Sequence, residues 1–294
     1  MIDGCTAAGP GEHAVSRAHL VPEGDFEGTV HSVFPTACNI AVGELLVTVH
    51  DAGKQHTPTS VRVGVDASTV WSPAVRIGDR AVCRSETLGF GRHTLHLRRL
   101  PVWSPAPIAR WAQPSSARVD QLARARETHV SAGSAPITPG LESAARELQA
   151  TLRERPPHGT DVDPVVRRLI GAGPGLTPAG DDVLVGLLAA LYRGGSAVSF
   201  ATAAFSCLSQ AIPRYIHRTT DVSAHYLRLA TRGFFGEPLT NLIDAVVGDA
   251  STEEVHSRMS AVLSVGATSG ADALLGVLLG LDVVLHSPVN EKVA

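Results

Sequence analysis

The chain has 294 residues, of which 44% are hydrophobic and 18% charged, with 25 basic against 28 acidic side chains. A formal charge of -3 excludes the basic stripe that nucleic-acid binding needs, and the apolar content excludes wholesale disorder. The four cysteines, Cys5, Cys38, Cys83 and Cys207, have no metal-ligand spacing, and a chain of this length needs no disulfide staples. A reducing, cytoplasmic setting is expected. The opening residues lack a basic start followed by an apolar run, so no export signal is read. The most apolar stretch, 266–285, carries Asp272 and Asp282. Carboxylates are costly inside a bilayer, so it is expected to be a buried helix and not a membrane span.

In chain order, residues 1–25 are set apart as an N-terminal extension. Residues 26–105 read as β. Val61, Val63 and Val65 alternate with small or polar residues, and short runs of β-branched residues are broken by Gly, Pro and Asp. This pattern predicts a small antiparallel barrel or sandwich. Residues 106–165 hold the end of a proline-rich linker (Pro101, Pro105, Pro107 and Pro114) and amphipathic helices near 118–130 and 141–155. Residues 166–294 read as a helical domain carrying a glycine-rich loop. The expected class is therefore α+β, with a β domain followed by a mostly α-helical one. Two apolar helices, near 182–192 and 272–285, lack a polar face and are expected at its centre. The helix near 198–212 has apolar residues around most of its circumference. That motivates a homo-oligomer or a multi-protein complex, since such a face needs cover.

The two apolar helices open alike. GDDVLVG (180–186) and GADALLG (270–276) share the pattern G-x-D-x-L-x-G, which aligns Asp182 with Asp272. Gly186 and Gly276 would let a neighbouring helix approach closely.

Chemistry is expected in three stretches. In LIGAGPGLTPAGDDVLVGLL (169–188), Gly171, Gly173, Gly175 and Gly180 surround Pro174 and Pro178. Prolines fix such a loop while glycines permit positive φ and close ligand approach. The loop feeds a helix whose free N–H groups favour an anion. No Lys-Ser/Thr follows, so it is not a Walker A loop. Asp181 and Asp182 then point about 100° apart, one suited to capping and the other to facing a ligand. The second stretch, SVGATSGADALLG, offers Thr268, Ser269, Gly270 and Asp272, as caps or as ligand contacts. The third, HRTTDVSAHYLRLATRGFFG, groups Arg218, Thr219, Thr220 and Ser223 as donors for a carboxylate, carbamoyl or phosphate group. His217, Asp221 and His225 fall four apart, which suits a metal on one helix face. Thr219-Thr220-Asp221 also reads as a helix start that leaves His217 outside. His93 and His96 are expected on opposite faces of a strand, and His31 and Ser32 are read as packing residues.

Three of the segments quoted above, together with GTVHSVFPTACNI near the start, resemble the AllH-like family over roughly residues 26–285. One member is a subunit of the multi-protein oxamate carbamoyltransferase of bacterial allantoin breakdown. The resemblance implies carbamoyl transfer between carbamoyl phosphate and a small amide or carboxylate such as oxamate, in purine nitrogen catabolism. The residues read above supply the matching chemistry: Asp181, Asp182 and Asp272 are the carboxylates expected to be catalytic. Gly173, Gly175, Thr177, Gly180, Arg218, Thr219, Thr220, Ser223, Thr268, Ser269 and Gly270 are the expected substrate-binding set. The family often has a His before the Thr-Ser-Gly, where this chain has Ala267. No resident cofactor is implied, although a divalent cation held by the aspartates would fit. The expected partners are a small anionic substrate and other subunits, with neither nucleic acid nor membrane. Two other readings fit the residues: a non-catalytic anion-binding accessory subunit, and a metal-dependent hydrolase.

Overall fold

The computed structural model describes residues 13–64, 74–107, 112–132, 137–154, 161–195 and 198–286. The chain divides into two compact units, Met1–Pro105 and Ala106–Ala294.

Among the described residues the first unit is a curled, half-barrel sheet of nine strands. They are β1 His13–Ala18, β2 Phe26–Phe34, β3 Ala37–Val42, β4 Leu45–Asp51, β5 Ser60–Gly64, β6 Arg80–Arg84, β7 Thr87–Phe90, β8 His93–His96 and β9 Val102–Trp103. Their order is β8-β7-β6-β2-β3-β4-β5-β1-β9. The expected all-antiparallel sheet is corrected at two places, because β4 pairs with β5, and β1 with β9, in parallel. Parallel pairing follows where the connection crosses over instead of closing a hairpin, as residues 52–59 do between β4 and β5. The reading of residues 1–25 as an extension is corrected too, since β1 lies between β5 and β9. Alternation explains the core: Ile40, Val47, Val49, Val61, Val63, Leu88 and Leu95 point one way and are fully buried.

The other face of the middle strands is polar and also covered. Asn39, Thr48 and Ser60 sit side by side in register. Thr48 Oγ1 donates to Asn39 Oδ1 at 2.8 Å, and Asn39 Nδ2 donates to Ser32 Oγ at 2.9 Å. These bonds satisfy polar groups that burial would otherwise penalise. His93 is buried and His96 exposed, as strand alternation requires.

In the second unit nine helices are described: α1 Ser116–Ser131, α2 Pro139–Glu154, α3 Asp163–Leu169, α4 Ala179–Ala189, α5 Ser199–Tyr215, α6 Asp221–Ala230, α7 Glu237–Val247, α8 Thr252–Leu263 and α9 Ser269–Leu285. Among the described residues no helix is long and apolar enough to cross a membrane. α4 and α9 are buried along most of their length. They run parallel, because their contacts keep pace from end to end. Thr177 meets Ser269 at the start, Gly186 and Gly276 each abut the other helix midway, and Gly280 abuts Leu187 toward the end of α4. The midway contacts are reciprocal. A Cβ on Gly186 would strike the Ala273 carbonyl, and one on Gly276 would strike the Val183 carbonyl. These pairs exchange under the same alignment that equates Asp182 with Asp272, so the two helices relate by a local twofold.

α5 corrects the motive offered for an oligomer. Ser199, Thr202, Ser206, Gln210 and Arg214 form an exposed stripe, while Phe200, Ala204, Leu208, Ala211 and Ile212 are buried. The helix is amphipathic, and the chain itself covers its apolar side.

Candidate functional site

The glycine loop turns where its sequence allows. Gly171, Gly173 and Gly175 have φ of +74°, +119° and +93°, a region that favours glycine. Gly171 also has the Arg218 carbonyl where a Cβ would stand, so the loop lies directly on the 216–219 backbone. Pro178 ends the loop with φ -54° and occupies the N-cap of α4.

Asp181, in the first turn of α4, is 0% exposed. Its Oδ1 accepts from Gly171 N–H at 2.9 Å, and its Oδ2 accepts from Ser223 Oγ at 2.7 Å and from Thr219 Oγ1. Burial pushes this carboxyl above the usual range, and the three donors oppose that shift. Thr220 caps α6 by accepting from Ser223 N–H at 3.1 Å, and donates to the Leu176 carbonyl at 2.5 Å. Three of the four residues expected to bind substrate from this segment, Thr219, Thr220 and Ser223, therefore brace the loop. Arg218 sends its side chain to the exposed surface and offers its carbonyl to the loop. The helix begins at Asp221 with His217 outside it. His217 is exposed and His225 buried, and among the described residues no group of three or more His, Cys, Asp or Glu side chains gathers to hold a metal.

Asp182 behaves differently from its neighbour. Its Oδ2 is buried and, among the described residues, has no hydrogen-bond partner. Burial pushes its carboxyl well above the ordinary carboxylate range; the Ser269 and Thr177 hydroxyls oppose this, while Asp272 and Asp181 add to it. Thr177 and Ser269 are joined by a 2.7 Å bond that ties the start of α4 to the start of α9. Asp272 is 3% exposed. Burial raises its carboxyl as well, opposed by a hydrogen bond from Thr268 and by the positive charge of Arg126.

The expected cradle of free helix-end N–H groups is smaller than anticipated. Gly180 N–H goes to the Ala172 carbonyl at 2.9 Å and Gly270 N–H to the Val265 carbonyl at 3.0 Å. Both glycines are needed for close packing, since a Cβ on Gly180 would strike the Leu169 carbonyl and one on Gly270 the Val262 carbonyl. The junction reaches the surface through residues 173–176 and 264–267, Ala267 included, which are exposed.

Reading the residues missed Arg126. It lies on α1, buried with Leu122, and its Nε donates to the Ala271 carbonyl at 2.8 Å in the first turn of α9. The available signal was an arginine four positions after a core leucine on an amphipathic helix.

The structure thus joins a curled β unit to a helical unit whose glycine loop, paired carboxylates and hydroxyls meet at two parallel helix starts. Residues 169–281 match the family described as oxamate carbamoyltransferase subunit AllH, and residues 11–101 match the AllH family N-terminal domain. The two matches cover most of the chain, which belongs to the AllH family. The second match begins ahead of residue 26, in keeping with the place of β1 in the sheet. No solved structure matches the chain.

Proposed function

We propose that this chain serves a carbamoyltransferase as a subunit, taking carbamoyl phosphate and a small amide-carboxylate acceptor such as oxamate at the start of α4 and α9. The observation that carries the reading is Asp182: a carboxyl held in place by two hydroxyls, raised in pKa, with one oxygen unpartnered beside a second carboxyl. In the reaction the acceptor nitrogen attacks the carbamoyl carbon, the bond from that carbon to the phosphate oxygen breaks, and phosphate leaves. The attacking nitrogen must lose a proton. Asp182 Oδ2 takes it, and a carboxylate of raised pKa is a stronger base than an ordinary one. Burial keeps that pKa high, with the like charge of Asp272 adding to it, and Thr177 and Ser269 set the orientation. Ala179, Ser269 and Ala271 lie in the first turns of α4 and α9, and helix N-termini of this kind suit the phosphate. Asp181 is assigned a bracing part in place of the catalytic one, because donors occupy both its oxygens. As a subunit, the chain is expected to act with partner chains.

The test is carbamoyl transfer to oxamate by the chain with its partner subunits, for wild type and Asp182→Asn. A loss of roughly a hundredfold or more, the scale of a general base, is expected with a melting temperature no lower than wild type. Undiminished turnover in the variant would overturn the role given to Asp182.

A further inference from the structure

We infer that Arg126 is the cationic arm of this site, binding an oxyanion of the ligand, phosphate or carboxylate, against the first turn of α9. The inference deepens the proposed function, on which it rests, by naming the charged group recognised there. Arg126 is only 9% exposed, and its partner on the buried face of α1, Leu122, is 0% exposed. A guanidinium carries five N–H donors. Only Nε is engaged, by the Ala271 carbonyl at 2.8 Å, and among the described residues the two Nη groups make no hydrogen bond. Among the described residues no carboxylate lies within ion-pairing distance. Glu142 is held by Arg146 at 2.7 Å, and Asp272 takes its hydrogen bond from Thr268; both act on Arg126 only through space.

A charge this buried is costly unless it is paired. The Nε bond fixes the guanidinium plane and leaves the Nη1/Nη2 edge, the geometry that takes two oxygens of a carboxylate or phosphate side by side. That edge is anchored one residue before Asp272, whose negative charge reaches Asp182. Arg126 is thus tied to the helix turn that carries Asp272, and Asp272 in turn acts on Asp182. Arg126 lies outside both stretches matched to the family, so the matches do not mark it.

The full chain, its Arg126→Gln variant and its Arg126→Lys variant are titrated separately with inorganic phosphate and with oxamate, by calorimetry and by melting temperature. A ligand that binds only the native state raises the melting point. Wild type is expected to bind at least one probe, Arg126→Gln to bind it roughly tenfold more weakly or worse, and Arg126→Lys, which keeps the charge and loses the fork, to fall between. The probe whose binding is lost identifies the oxyanion. If Arg126→Gln fails to fold, Arg126→Lys carries the same comparison. Variants that melt lower yet bind both probes as wild type does would make Arg126 a mere tie between α1 and α9, and would overturn the inference. Absence of binding to wild type would overturn it as well, whereas the proposed function stands or falls separately on turnover by the complete assembly.

Discussion

Adjacent aspartates in one helical turn have different environments, and their chemistry should separate accordingly. Asp182 has a folded-state pKa above its unfolded value of about 3.9, so the native state holds the proton more tightly. Its contribution to stability is then fully present below about pH 4 and is lost as pH rises through the folded pKa. Asp182→Asn removes that titration. Thermal melts from pH 4 to 8 should show the variant level with wild type at the acid end and increasingly more stable toward neutrality. A variant that melts lower than wild type at pH 7 would mark Asp182 as a structural cap. Asp181→Ala should do the opposite. It strands the Gly171 N–H and the Thr219 and Ser223 hydroxyls in a buried place, at a cost of about 3 kcal/mol. For a unit of this size that lowers the melting temperature by roughly 6–12 °C. The residues of 181–182 and 217–223 were visible in the sequence as a polar set. Which of them face inward was not, because i and i+1 on a helix diverge and only the packing says which direction is covered.

At the scale of elements, the α4–α9 pair depends on absent side chains. Gly186→Ala and Gly276→Ala each gain about 1 kcal/mol of helix propensity, but each Cβ meets a backbone carbonyl that cannot turn aside. Both variants are expected to melt lower. Moving the helices apart once relieves both clashes, so the double variant should lose less than the sum of the singles, which denaturant titration of all four proteins can measure. Strict additivity would mean that the two glycines act at independent contacts. Elsewhere in the same unit Arg118 closes a helix end. Its Nη1 donates to the carbonyls of Ala245, Val246 and Gly248, and its Nη2 to that of Ala250 at 2.8 Å. A cation at the C-terminal end of α7 also complements the helix dipole. Arg118→Ala should cost about 2–3 kcal/mol by urea unfolding; a loss below about 0.5 kcal/mol would mean that water replaces the arginine at no penalty. The shared G-x-D-x-L-x-G was readable as a repeat. The polar stripe of α5 was also readable at spacings of three and four, and was outweighed by the helix's high apolar content.

For the whole molecule, the chain divides into two compact units after Pro105. Each unit has its own buried cluster, around Ile40, Val49 and Leu88 in the first and around Leu148, Leu187 and Ile243 in the second. A fragment ending at Pro105 is therefore expected to melt cooperatively with a β-type far-ultraviolet spectrum. A fragment that gives only a featureless, non-cooperative trace would show that the first unit needs the rest of the chain.

Local pattern determined the β-then-α order, the helix start at Thr220, and the glycine loop, because these depend on backbone preferences a few residues long. The same short-range signals marked the candidate carboxylates and hydroxyls. Tertiary structure decided the parallel pairs β4–β5 and β1–β9, the inclusion of β1, the parallel run of α4 and α9, and the arrival of Arg126 from α1. It also decided that Thr219 and Ser223 hold Asp181 and leave Asp182 with an unpartnered oxygen. Each of these is a pairing between segments far apart in the chain. The free energy of such a pairing depends on which surface is covered, and periodicity reports only that a residue is on a covered face, not what covers it.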